Sequence, residues 1–256
     1  MTGLWSLWRR ELVRFFRQPS RVAGAAGSPL LFWLLLGSGL SSSFRLPGAA
    51  GVDYLEYFYP GTLVLVVLFA AIFSTISIIE DRREGFLQGV LAAPVSRAAI
   101  VAGKVLGGAT LAWLQGAAFL LLAPVAGLHV SVASLLAAAG VLALLAVALT
   151  ALGFACAWSV DSVQGFHAIM NLLLVPLWLL SGAVFPLTGA PVWLAALMRL
   201  NPLTYGVAAL RQTFYVAAAP AADGLPGAGV SLLILAAVGA LAFAADLLVL
   251  RRGRLE

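Results

Sequence analysis

Residues 105–160 form 56 consecutive positions without a single Asp, Glu, Lys or Arg, and their one histidine is His129. A soluble domain has no use for so long an uncharged run. A bilayer does, because about 20 consecutive apolar residues cross its hydrocarbon core, so this run suffices for two crossings and a turn. The pattern recurs along the chain, where 62% of residues are hydrophobic and 10% charged, with a mean hydropathy of +1.05. A polytopic helical membrane protein is the reading that follows. Helices are required because the bilayer core holds no water to satisfy free backbone groups, and the period-two segments of a membrane barrel are absent.

Hydropathy and chain breakers place six spans, at about 22–44, 61–79, 105–127, 132–158, 166–184 and 230–250. Basic residues then set the orientation. Arg9, Arg10, Arg14, Arg17 and Arg21 precede span one; Arg82, Arg83, Arg97 and Lys104 lie between spans two and three; Arg251, Arg252 and Arg254 follow span six. Six crossings put all of these on one side, twelve of the fifteen basic residues, leaving Arg45, Arg199 and Arg211 opposite. The positive-inside rule makes that side cytoplasmic, with both termini on it. The net charge of +5 is therefore an inside-facing bias and no sign of nucleic-acid binding, for which no compact basic domain exists. One cysteine, Cys156, excludes an intramolecular disulfide, and with His129 and His167 it shows no metal-ligand spacing.

Residues 1–21 read as an amphipathic interface helix. Leu4, Trp5, Trp8, Leu12, Phe15 and Phe16 share one arc, and Arg10, Arg14, Arg17 and Arg21 lie nearly opposite. That arrangement predicts an aromatic face at the acyl boundary and arginines toward anionic headgroups, with Pro19 breaking the helix before span one. The same helix could also touch a cytoplasmic partner. The remaining 22–256 read as one membrane domain.

The polar connection 80–104 opens with Glu80, Asp81, Arg82, Arg83 and Glu84, then Gly85. Phe86/Val90 and Leu87/Leu91 are i,i+4 pairs on a short apolar-faced helix that Pro94 ends, and Ser96 caps the next helix. Two turns cannot bury an apolar face alone, so that face is expected against the membrane surface or a soluble partner. Between spans five and six, Pro191–Met198 is apolar but too short to cross, which suggests an outer re-entrant hairpin over 185–211. Trp193, Tyr205, Phe214 and Tyr215, with Tyr54, Tyr57, Phe58 and Tyr59, are read as an interface aromatic belt. Asp246, the one carboxylate inside a span, is explained by snorkelling toward the nearby end, and Asp161 as a turn residue, solvated or touching a partner.

Chemistry is scarce. Gly103-Lys104 is followed by Val105, so no phosphate-binding loop is present, and no Ser/His/Asp set or zinc motif appears. Work done against a gradient would need an outside energy source.

These residues bring a family into view. The chain resembles the ABC-2 type transport permeases, the membrane subunits of bacterial ABC exporters. Arg83-Glu84-Gly85-Phe86-Leu87-Gln88, with Leu91 to Arg97 and Gly103-Lys104, is similar to the family's cytoplasmic coupling segment (80–97). Phe86 and Gln88 depart from its usual hydroxyl and acid. Phe185-Pro186, Trp193, Asn201-Pro202, Tyr205 and Arg211 are similar to its outer re-entrant region. The resemblance implies an all-α domain of six transmembrane helices in the bacterial inner membrane. It also implies that Glu80, Arg83, Glu84, Gly85, Phe86, Leu87, Val90, Leu91, Pro94 and Arg97 engage a separate cytoplasmic ABC ATPase. Trp5, Trp8, Arg10, Arg14 and Arg17 would brace that subunit. A second copy, or a related permease, completes the pathway. ATP and Mg would belong to the ATPase, and this chain itself would carry no cofactor and no catalytic or metal site. The cargo expected is hydrophobic or amphipathic: a drug, lipid or lipid-linked glycan. The competing readings are a self-sufficient secondary transporter using Asp246, and a subunit that passes force to a periplasmic partner without moving solute.

Overall fold

The computed structural model describes residues 2–17, 19–40, 53–215, 224 and 226–252. These form ten α-helices in chain order: α1 Thr2–Phe16, α2 Pro19–Leu40, α3 Tyr54–Arg83, α4 Phe86–Ala92, α5 Arg97–Leu120, α6 Val132–Trp158, α7 Val163–Trp178, α8 Val192–Leu200, α9 Pro202–Phe214 and α10 Ala228–Arg252. No strand occurs among the described residues. Five segments are long and apolar enough to cross a membrane: Tyr54–Arg83, Arg97–Leu120, Val132–Trp158, Val163–Ala183 and Ala228–Leu250. The first expected span falls on α2, whose apolar part, Pro29–Leu40, is shorter than a crossing. Gly, Ser and Pro dilute the first half of that helix, and 41–44 lie outside the described residues. Five of the six expected spans are therefore seen.

Local chemistry explains the helix ends. The Ser96 hydroxyl accepts from the Ala99 amide at 3.2 Å, as the sequence suggested, and Ser131 and Ser134 form a reciprocal capping box on α6, satisfying amides that have no partner within the helix. α3 stops where Gly85 takes a left-handed φ of 74°, a conformation that costs glycine little. α5 ends seven residues before the expected 127. Pro124 has no amide proton with which to continue the ladder, and tight turns lead to Gly127, at φ 88°.

α3 is the axis of the bundle. It is apolar all round, and such a helix belongs in the interior. Phe58, Tyr59, Leu63, Val64, Val66 and Val67 are fully buried, and α2, α5, α6, α7 and α9 pack around it. Tyr54 and Tyr57 are buried as well, so this aromatic cluster forms core and not the interface belt expected of it. Phe214 is likewise buried, while Trp193 lies exposed. The outward faces of α7 and α10 carry exposed Leu172, Leu233 and Leu241, as lipid-facing helices do.

α1 packs along the first half of α5. A Cβ at Gly103 would stand 2.9 Å from the Leu7 Cβ, and one at Gly107 would stand 2.8 Å from the Glu11 Cβ. The two glycines thus form the track on which α1 lies, running in the same direction as α5. Small residues at four-residue spacing allow such approaches between membrane helices.

Gly108 tests the packing directly. A Cβ there would overlap the Ser74 hydroxyl on α3 and stand 2.7 Å from the Thr150 Cγ2 on α6. Gly108→Val is expected to destabilise the bundle by about 1–3 kcal/mol through overpacking, read as a lowered unfolding midpoint in detergent. An unchanged midpoint would contradict the three-helix crossing.

Candidate functional site at the arginine-rich end

Where α1, α3 and α5 meet, four acids and three bases converge. The Arg10 guanidinium donates to both oxygens of Asp81, at 2.8 and 2.7 Å. Arg14 donates to Asp81 at 2.7 Å and to Glu80 at 2.8 Å. The Lys104 ammonium donates to Glu11 at 2.6 Å and also pairs with Asp81. Arg14 lies 3.7 Å from Glu84, which is largely exposed. The Asp81 side chain is 0% exposed, Lys104 2% and Glu11 5%. A buried carboxylate is tolerated only when its lone pairs are filled by charged donors, and Asp81 has three cations around it. Burial works against the charge on Arg10, but the hydrogen bonds and charge of Asp81 outweigh it and hold the guanidinium pKa above its usual value.

This geometry corrects the expected orientation of α1. Arg10 and Arg14 turn into the protein instead of toward lipid headgroups, because Asp81 and Glu80 accept their hydrogen bonds there. Trp8 donates to the Thr110 hydroxyl at 3.1 Å, and Trp5, stacked on Trp8, is exposed, as is Arg17. The sequence pattern presents Asp81 as one of a charge cluster and Lys104 as part of the coupling-like segment, and does not single out Glu11. The available signals were a lone acid set between Arg10 and Arg14, and a lone Lys in an apolar helix.

A second correction concerns α4. Its apolar face points inward: Leu87 is 1% exposed, and Phe86, Val90 and Leu91 pack against the core. The Arg10 guanidinium sits 3.7 Å from the centre of the Phe86 ring, a cation–π contact that ties α4 to the ion cluster. The bundle itself therefore covers the apolar face expected to meet membrane or partner. Gln88, Gly89, Ala92 and Pro94 are left facing outward beside exposed Arg83 and Glu84. A Cβ on Gly89 would meet nothing within 4 Å.

Arginines extend the frame to the other helices at this end. Arg82 donates to the Trp158 carbonyl at 2.6 Å and to Asp161 at 2.9 Å, and Arg83 to the Asp161 carbonyl at 3.1 Å. The turn between α6 and α7 is thereby pinned to α3, while the Asp161 side chain is 99% exposed. Arg97 donates to the Leu250 carbonyl at 2.8 Å. Asp246 does not snorkel: it is 0% exposed, and neither carboxylate oxygen has a hydrogen-bond partner.

At the far end, α7 closes in a widened π-type turn, Leu179–Ala183, with Gly182 at φ 79°. The Gly182 carbonyl accepts from Arg211 at 2.8 Å and from the Tyr57 hydroxyl at 3.3 Å, and Arg211 lies over the Tyr57 ring. Asn201 caps α9, whose first residue is Pro202, by accepting from the Leu203 amide at 3.0 Å. It also donates to the Leu177 carbonyl, and the Tyr205 hydroxyl donates to the Arg199 carbonyl at 2.7 Å. Phe185 and Pro186 are half-buried in the connection to α8. Among the described residues no three His, Cys, Asp or Glu side chains converge as a metal site would require.

A family model described as ABC-2 type transporter matches residues 2–215. The ycf38 transport permease of Cyanophora paradoxa is 29% identical over 211 residues, 81% of this chain and 72% of that protein. Nodulation protein J of Rhizobium leguminosarum bv. trifolii is 29% identical over 209 residues, 80% of this chain and 79% of that protein. The inner membrane transport permease YadH of Escherichia coli K12 is 25% identical over 221 residues, covering 83% and 82% of the two chains.

Removing Lys104 alone exposes the ledger of the cluster. Lys104→Met leaves Glu11 and Asp81 facing each other with one cation fewer, and is expected to lower stability by about 3–5 kcal/mol. The triple variant Lys104→Met, Glu11→Gln, Asp81→Asn should recover much of that loss. Equal midpoints for the single variant and the parent would contradict the buried arrangement.

Proposed function

Because the chain belongs to the ABC-2 type transporter family, whose model covers residues 2–215, we propose that it is the membrane subunit of an ATP-driven exporter. It works with a separate cytoplasmic ABC ATPase and pairs with a second copy or a related permease. Both termini and the arginine-rich end lie in the bacterial cytoplasm, with α8 and α9 on the outer side. ATP and Mg reside on the ATPase, and the 80–97 segment receives the motion that nucleotide drives.

One observation carries this reading: α4 is a seven-residue helix held rigidly from behind and bare in front. Phe86 and Leu87 fasten it to the bundle, Arg10 clamps Phe86, and Asp81 fastens Arg10. A flat surface of Gln88, Gly89 and Ala92, rimmed by charges of both signs at Arg83 and Glu84, suits insertion into a protein cleft, where rim charges fix register. A push on α4 reaches α1, α3 and α5 together. Nucleotide binding shifts the permease only as far as the ATPase's affinity differs between two arrangements of this block.

A hydrophobic or amphipathic cargo fits the bundle. A half-open cavity of about 380 Å³ lies between α1, α2, α3 and α5, walled by Phe15, Leu30, Val66, Leu111 and Phe119, with Gln115 as its one polar side chain. Cavities of this size and character hold small apolar ligands. The names of the relatives, transport permeases among them, support transport as the task.

The decisive variant changes only the bare face. Gly89→Trp is expected to leave insertion and folding intact and to weaken recovery of a co-expressed cytoplasmic ABC ATPase partner at least tenfold, about 1.4 kcal/mol. Leu87→Asp, by contrast, unseats α4 from its own core and lowers the amount of folded protein. Normal ATPase co-purification with Gly89→Trp would overturn the proposed docking face.

A further inference from the structure

The buried face of α10 is a single stripe: Ser231, Leu235, Gly239, Ala242, Asp246 and Leu250. Spacings of three and four keep these residues on one side of a helix, and a Cβ added at Gly239 would stand 3.3 Å from the Ala148 Cβ on α6. Five members are small or apolar. The sixth is a carboxylate with both oxygens buried and unbonded, near enough to the half-buried Cys156 for its charge to act on that thiol. Every other buried acid of the described residues, Glu11 and Asp81, has a cation against it. An acid within a membrane helix marks a functional position and calls for a named partner.

Arg97 of α5 reaches this end of α10 and donates to the Leu250 carbonyl. Leu250 follows Asp246 by four residues on the same stripe, so the carbonyl that holds the guanidinium belongs to a residue about 6 Å of helix rise beyond the acid, roughly one turn. Arg97 is also the first residue of α5, directly after the 86–96 segment.

We propose that Arg97 and Asp246 are the two halves of a latch: in a second arrangement of the bundle α10 slides one turn against α5, which stays in its ion cluster and glycine crossings, and the guanidinium leaves the Leu250 carbonyl for the Asp246 carboxylate. Steps of one turn between packed helices are an established form of two-state motion. The unpaired acid raises the energy of the arrangement seen here and the pair lowers the energy of the other, so Asp246 holds the two close in free energy. The position of Arg97 next to α4 makes the step responsive to whatever presses on α4. That last link rests on the proposed docking face; the pair itself does not.

The test uses the full chain in lipid vesicles, with Cys156→Ser and nitroxide labels on cysteines at Ala98 and Leu248, both exposed. Two distance populations about 5 Å apart are expected. Asp246→Asn and Arg97→Gln should each remove the second population, whereas Arg97→Lys should keep it. Asp246→Asn should also raise the unfolding midpoint, where an acid with a purely structural role would lower it. A single population in the parent chain, or a second one that survives Asp246→Asn, overturns the latch. Neither result depends on ATPase recovery, so failure here is distinct from failure of the docking face.

Discussion

The buried carboxylate of Asp81 is the constraint on which this end of the molecule is built. Placed inside the bundle, it must gather cations, since an unpaired charge in such a setting costs several kcal/mol. Arg10, Arg14 and Lys104 answer from two other helices. Their convergence seats α1 on its glycine track, orients Arg10 over Phe86 and so fixes α4. Without Asp81 these elements would keep the Arg14–Glu80 and Lys104–Glu11 pairs and the Trp8–Thr110 hydrogen bond, but no group that joins all three helices at one point.

The far end is built by different means. There the knot is a broken helix: the Gly182 carbonyl, released by the π-type turn, is claimed by Arg211 and Tyr57. Irregular backbone at membrane depth persists where protein satisfies it. One end is thus stiffened by charge and the other by a single over-subscribed carbonyl, with the apolar α3 running between them. That helix is anchored at both ends and packed on nearly every face between them.

Much of this architecture could be read from the residues alone. The apolar runs announced helices, Ser96 announced the start of α5, and Gly85 announced the break before α4, because each signal is local. What stayed hidden was direction. The amphipathic pattern of α1 gives an aromatic arc and a basic arc, but not that Glu80 and Asp81 would draw the basic arc inward. The i,i+4 pairs of α4 give an apolar face without saying that the bundle would cover it, which leaves residues as plain as Gln88 and Gly89 on the exposed side. Tyr54 to Tyr59 look like a headgroup belt in composition and are core in fact. For Asp246, snorkelling required a route to water that the packing of α10 on α6 closes.

Hydrogen exchange of the backbone amides of α1 and α4 in the intact membrane protein examines the central claim most directly. If Asp81 binds these helices into one block, both should open together, with matching protection that falls in parallel when Asp81 becomes Asn. Rapid exchange of α1 while α4 stays protected, or loss of protection in only one of them, would contradict it.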